Sequence, residues 1–116
     1  MKFEGTSFGS VVFKGKSYGY DIMVLPDGRV EKRRKNLSKS VFGTSHKLVP
    51  EELEFLKEAE IIVVGTGQSG LLRLTKEADE WVKNRRIKVI LAPTPEAIEK
   101  YNQVEGKKAA LIHVTC

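Results

Sequence analysis

The chain has 116 residues, 41% of them apolar, with one cysteine, two histidines and a formal net charge of +5. This length fits one domain, spanning 1–116, around one core, and the apolar share argues against a disordered chain. No apolar run approaches the roughly 20 residues of a bilayer span, and the lone Cys116 excludes an intramolecular disulfide or a cysteine-based metal cluster.

The charge is uneven. Residues 1–28 balance to zero, residues 29–47 carry seven basic groups against Glu31 alone for a net +6, and residues 48–116 sum to −1. Met1-Lys2-Phe3-Glu4-Gly5 lacks the apolar stretch of a signal peptide, so the expected setting is cytoplasmic. Lys and Glu are abundant while Asn and Gln are scarce, a composition common in heat-adapted proteins.

In chain order, Ser10-Val11-Val12-Phe13 reads as a strand, Lys14-Gly15-Lys16 as a turn, and Tyr18 to Leu25 as a second strand rich in aromatic and β-branched residues. Leu25-Pro26-Asp27-Gly28 is a strong turn signal, because Pro pre-sets φ and Gly accepts a positive φ. Arg29 to Arg34 then returns as the other arm of the hairpin, and the first 34 residues form a β-meander. Residues 35–49 lack periodicity and predict an exposed loop. Pro50, with Glu51 and Glu52 behind it, opens a helix that aligns Leu53, Leu56 and Ala59 on one face.

The second half alternates. Ile61–Val64 is apolar on both faces, as a central parallel strand should be. Thr75 caps a helix reaching Arg85, with Ala78, Trp81 and Val82 inward. Ile87–Leu91 is a strand, Thr94-Pro95-Glu96 starts a helix with Ala97, Ile98 and Tyr101 inward, and Ala109–Val114 is a last strand. The expected fold class is α/β: a three-layer arrangement with a mixed central sheet, an N-terminal β-meander and a C-terminal βαβαβ unit.

The loop Gly65-Thr66-Gly67-Gln68-Ser69-Gly70 spells G-x-G-x-x-G after a strand, the dinucleotide fingerprint. Its surroundings argue against that function. The helix signal begins only at Thr75, and the next strand ends Ile90-Leu91-Ala92-Pro93, without the acid that holds a ribose. Two readings of the loop stay open. In one, the glycines only let the chain leave the sheet sharply. In the other, backbone N–H groups from Thr66 to Gly70 cradle an anion at the carboxyl end of a parallel sheet, with Thr94 from the neighbouring loop and Arg73 supplying charge.

Other constellations are weaker. His46 and His113 lack metal-ligand spacing; His46 is expected to be solvated and His113 half-buried. Ser69 does not sit in G-x-S-x-G, since Leu71 fills the last place. Arg29, Lys32, Arg33, Arg34 and Lys35, followed by Lys39 and Lys47, form a basic patch able to contact phosphates. Only Phe42 interleaves it and no nucleic-acid motif accompanies it, so a solvated strand end is the expected reading and nucleic acid is a minor alternative.

Phe8-Gly9-Ser10, Val24-Leu25-Pro26-Asp27-Gly28, the helix from Pro50, Ile62-Val63-Val64-Gly65-Thr66-Gly67, Thr94-Pro95-Glu96-Ala97 and Ala109-Ala110-Leu111 together resemble the Mth938-domain family, over nearly the whole chain. The resemblance implies an α/β domain with a mixed central sheet and supplies no agreed catalytic residue, cofactor or metal. Relatives include a mitochondrial complex I assembly factor and a protein linked to fat-cell differentiation. The expectation is therefore a non-enzymatic interaction or assembly protein with a protein partner, a homodimer being one option. The alternatives are phosphate or nucleotide binding at Gly65–Gly70 and weak nucleic-acid binding through residues 29–47.

Overall fold

The structure is a computed structural model and describes residues 2–38 and 46–116. Lys39 and Phe42, and with them the middle of the expected loop, lie outside the described residues. The strands are β1 (Phe3–Ser7), β2 (Ser10–Phe13), β3 (Lys16–Tyr18), β4 (Ile22–Val24), β5 (Val30–Lys32), β6 (Lys47–Leu48), β7 (Ile61–Thr66), β8 (Arg73–Leu74), β9 (Lys88–Ala92) and β10 (Lys108–His113). Helices with both ends among the described residues are α1 (Pro50–Leu53), continued by a 3-10 turn at Glu54–Leu56, α2 (Lys76–Asn84) and α3 (Thr94–Gln103).

Five strands form the central sheet in the order β5-β4-β10-β7-β9. β10, β7 and β9 run parallel, whereas β4 is antiparallel to both β10 and β5, so the sheet is mixed as expected. Period-two alternation sorts its side chains onto two faces. Met23, Ile62, Val64, Ala109 and Leu111 pack on one side with Leu53, Leu56, Trp81 and Val82 from α1, the 3-10 turn and α2. Ile22, Val24, Val63, Ala110 and Ile112 pack on the other with Ala97, Ile98 and Tyr101 of α3 and with Phe3 and Phe13. Those two phenylalanines come from a separate antiparallel sheet, β1-β2-β3. Their rings meet Tyr101 at centroid distances of 5.1 and 6.0 Å.

The N-terminal half departs from the expected meander in two respects. The expected strand from Tyr18 to Leu25 is two strands in two sheets, β3 and β4, parted at Gly19-Tyr20. A glycine there removes the side chain a continuous strand would pack, and the chain crosses between layers. β1 carries no strong alternation and was not expected; it pairs with β2 through a bulge near Gly5. The helix starts fall where the capping signals put them: Thr75 Oγ1 accepts the Ala78 N–H at 3.1 Å, and Pro50 and Pro95 occupy first-turn positions. No helix among the described residues is long and apolar enough to cross a membrane.

Candidate functional site

The glycine loop lies at the carboxyl ends of β7, β10 and β9. β7 runs through Gly65 and Thr66 before the turn, and no helix follows until Lys76. The two glycines are there because neighbours approach closely. A Cβ on Gly65 would lie 2.8 Å from Thr94 Oγ1; one on Gly67 would lie 2.2 Å from the Cys116 carbonyl carbon and 2.8 Å from His113 Cδ2, at a φ of +102°. Thr94, at the start of α3, is fully buried and ties three segments together. Its Oγ1 accepts the Gly67 N–H at 2.9 Å and donates to the His113 carbonyl at 2.6 Å.

Most of the loop's amides have partners within the chain. Gln68 N–H donates to the Thr115 carbonyl at 2.6 Å, Gly70 N–H to Gly67 at 3.2 Å, Leu71 N–H to Cys116 at 2.9 Å and Leu72 N–H to Thr66 at 3.0 Å. The Gln68 side chain reaches Thr6 Oγ1 at 3.0 Å and the Ser7 carbonyl at 3.2 Å. The loop thus clamps the segment after β10 and the end of β1. Of the residues expected to cradle an anion, Gly65, Thr66, Gly67 and Thr94 are buried, Gln68 and Gly70 are half-buried, and Ser69 and Arg73 are exposed. Arg73 Nη1 caps the carbonyls of Gly70 and Leu72. A cleft of about 410 Å³ opens beside it, lined by Thr66, Ser69, Gly70, Arg73 and Pro93. Phe8, Leu71 and Leu91, 69%, 48% and 51% exposed, lie on the segments that meet at this edge.

A second constellation, invisible in the sequence, sits where β4, β5 and β10 end. The β4–β10 and β4–β5 registers set Asp21, His113 and Arg33 side by side. Asp21 Oδ2 lies 2.7 Å from His113 Nδ1 and accepts from Arg33 Nη1 at 2.9 Å, while Oδ1 accepts the Val114 N–H at 2.9 Å. Arg33 Nε donates to Glu52 Oε1 on α1 at 2.7 Å, and Lys35 Nζ stands 3.5 Å from Asp21. Asp21, Arg33, Glu52 and His113 are all 3% exposed or less. Burial pushes the Asp21 carboxyl up, but the hydrogen bonds from His113, Val114 and Arg33 outweigh it and hold the pKa at about 2. The carboxylate is therefore ionised and acceptor-only, and His113 Nδ1 carries the proton between them. His113 Nε2 lies 3.4 Å from Thr115 Oγ1, and the His46 ring packs edge-on at a centroid distance of 5.4 Å.

Two expectations change here. His113 is completely buried, because its ring fills the space between β4 and the Gly67 turn. The two histidines, far apart in sequence, are in ring contact. The basic patch also divides. Arg33 faces inward onto Asp21 and Glu52, so it is no part of a surface. Arg29 pairs with Asp27 at 2.9 Å, and Arg34 pairs with Glu31 at 3.2 Å while lying over Phe55. Lys32, Arg34 and Lys35, with Tyr20 and Asn36, line a cleft of about 690 Å³ whose floor is Asp21 and Arg33.

A mixed five-stranded sheet between a helical layer and an α/β layer, with a glycine turn locked onto its last strand, defines an Mth938-like α/β domain. The chain belongs to the family described as a protein of unknown function (DUF498/DUF598), whose model matches residues 3–113. Among solved structures it is similar to the conserved hypothetical protein PH1505 from Pyrococcus horikoshii OT3, with 42% identity, all of both chains covered and a TM-score of 0.92. It is also similar to MT938, at 41% identity over 99% of this chain and 98% of that one, with a TM-score of 0.84. An outer membrane protein from Bartonella henselae shares the fold at 20% identity and a TM-score of 0.67, over 98% of this chain and 94% of that one. No curated protein matches.

Proposed function

We propose that the chain is a non-enzymatic interaction or assembly domain of the cytoplasm, and that its working surface is the edge around Gly65-Thr66-Gly67. The observation that carries this reading is the pairing of a braced loop with exposed apolar side chains. Phe8, Leu71 and Leu91 stand out from segments that Gln68, Thr94 and the Cys116 carbonyl tie together. Exposed apolar residues with a polar surround mark protein contacts, and a backbone already fixed loses little entropy on binding.

A photo-crosslinking amino acid at Leu71 or Leu91 tests this in cells. The expected result is a discrete adduct from both positions and none from the exposed Glu99 on α3. Equal labelling from all three removes the reading.

A second reading rests on the cleft beside Arg73. A phosphate-sized anion there would meet the Arg73 guanidinium and the Ser69 hydroxyl. Thermal stabilisation by inorganic phosphate or a nucleotide that disappears in Arg73→Ala supports it, and no stabilisation removes it.

A further inference from the structure

The sequence gives the basic segment no aromatic neighbours among the described residues, but the fold supplies them from β3 and the crossing that follows it. Tyr18 and Tyr20 lie edge to face with centroids 6.0 Å apart. Lys16 Nζ stands 5.3 Å from the Tyr18 ring centre, and Lys32 Nζ stands 5.1 Å from that of Tyr20. The order across the surface is therefore cation, ring, ring, cation. Clefts open at both ends of the row. One, of about 310 Å³, is lined by Lys14, Lys16, Tyr18 and Val30. The other is the 690 Å³ cleft of Tyr20, Lys32, Arg34 and Lys35. β5 joins them, because Val30 lines the first and Lys32 the second, a rise of about 7 Å along the strand.

We propose that this face binds a short stretch of single-stranded nucleic acid. The two requirements for such a site are cations that follow a phosphate backbone and ring faces on which unpaired bases stack. Five cations surround the row, Lys14, Lys16, Lys32, Arg34 and Lys35; Arg34 already pairs with Glu31 and Lys35 stands 3.5 Å from Asp21, which leaves Lys14, Lys16 and Lys32 for phosphate. Of the acids beside them, Glu4 accepts the Gly15 N–H at 2.9 Å, and two others are held in ion pairs. Glu31 pairs with Arg34, and Asp21 is buried against Arg33, His113 and Lys35. Tyr20 is 41% exposed, so a base can reach its face when the Lys32 ammonium turns to a phosphate. Stacking on the exposed Tyr20, with the half-buried Tyr18 packed behind it on the core, needs a base that is not paired in a duplex, which is why the single strand is the fitting partner. An acidic peptide would satisfy the lysines but leave the rings without planar partners.

Fluorescence anisotropy of a labelled oligothymidylate provides the test. Binding is expected at low salt, with a log–log salt slope of about −2 for some three phosphates. Tyr20→Ala should weaken it about tenfold or more, Tyr20→Phe should retain it, and Lys32→Glu with Lys35→Glu should remove it. Each variant's melting curve confirms that it is folded. A duplex of matched length should bind more weakly. No binding by the folded wild-type chain overturns the proposal. So does equal affinity in Tyr20→Ala, or equal displacement by polyglutamate, since either would reduce the face to a plain polycation.

Discussion

His113 Nδ1 and Asp21 Oδ2 meet at 2.7 Å across 92 residues of chain, both side chains buried. The contact exists because β4 and β10 are antiparallel neighbours whose register, Ile112 opposite Ile22, continues one step to set the two side chains together. An aspartate–histidine pair with a hydroxyl beyond it resembles a proton relay. Here the imidazole is sealed beneath the Gly67 turn and the carboxylate is shared with Arg33 and Val114. The arrangement fastens three strands and α1 to one another.

Removing a charge from this network should be costly. Asp21→Asn leaves Arg33 short of a partner and faces His113 with a competing donor, for a loss of about 3 kcal/mol in urea unfolding. Cutting the exposed Asp27–Arg29 pair with Arg29→Ala should leave the midpoint almost unchanged.

The same carboxylate sets a pH dependence. Its folded pKa, about 2, lies below the ordinary 3.8, so its stabilisation is complete above about pH 4 and is lost as pH falls toward 2. The difference in stability between the wild type and Asp21→Asn should shrink by about 2 kcal/mol between about pH 5 and pH 2. A difference that stays constant over that range contradicts the assignment.

The two loop glycines should respond differently to a methyl group. Gly67→Ala places a Cβ inside the Cys116 carbonyl at a strained φ, and more than about 3 kcal/mol should be lost. Gly70→Ala meets nothing nearer than 3.6 Å and should cost about 1 kcal/mol, from its positive φ alone. Chemical denaturation of the pair checks the ranking.

Thr94 offers a separate probe of the same edge. Thr94→Val strands the Gly67 N–H and the His113 carbonyl without a partner, at about 2–4 kcal/mol. Thr94→Ser keeps both bonds and should lose only about 1 kcal/mol, the worth of a buried methyl. Amide exchange at Gly67 should accelerate in the valine variant and stay protected in the serine variant.

Much of the fold was legible because it is written locally. Thr75 and Pro50 announce helix starts, and Ile61–Val64 reads as a two-faced strand whatever the rest of the chain does. The unread parts depend on distant neighbours. Arg33 looks like its basic neighbours until β5 turns it toward Asp21 and Glu52. Tyr18 to Leu25 looks like one strand until the break at Gly19-Tyr20 leaves Tyr18 in β3 and Ile22–Val24 in the central sheet. The glycine loop spells a phosphate cradle, yet the Gly67 and Gln68 amides are used by Thr94 and Thr115 and the Gly70 amide by Gly67, and no local pattern reveals that.

The central claim is that the glycine edge is a partner-binding surface, and affinity capture with matched variants tests it most directly. Leu71→Asp combined with Leu91→Asp leaves the bracing hydrogen bonds in place and should melt like the wild type. A partner retained by the wild type and by Lys32→Glu, but lost from the double variant, is the predicted result. Recovery of the same partner in equal amount on the double variant would contradict it.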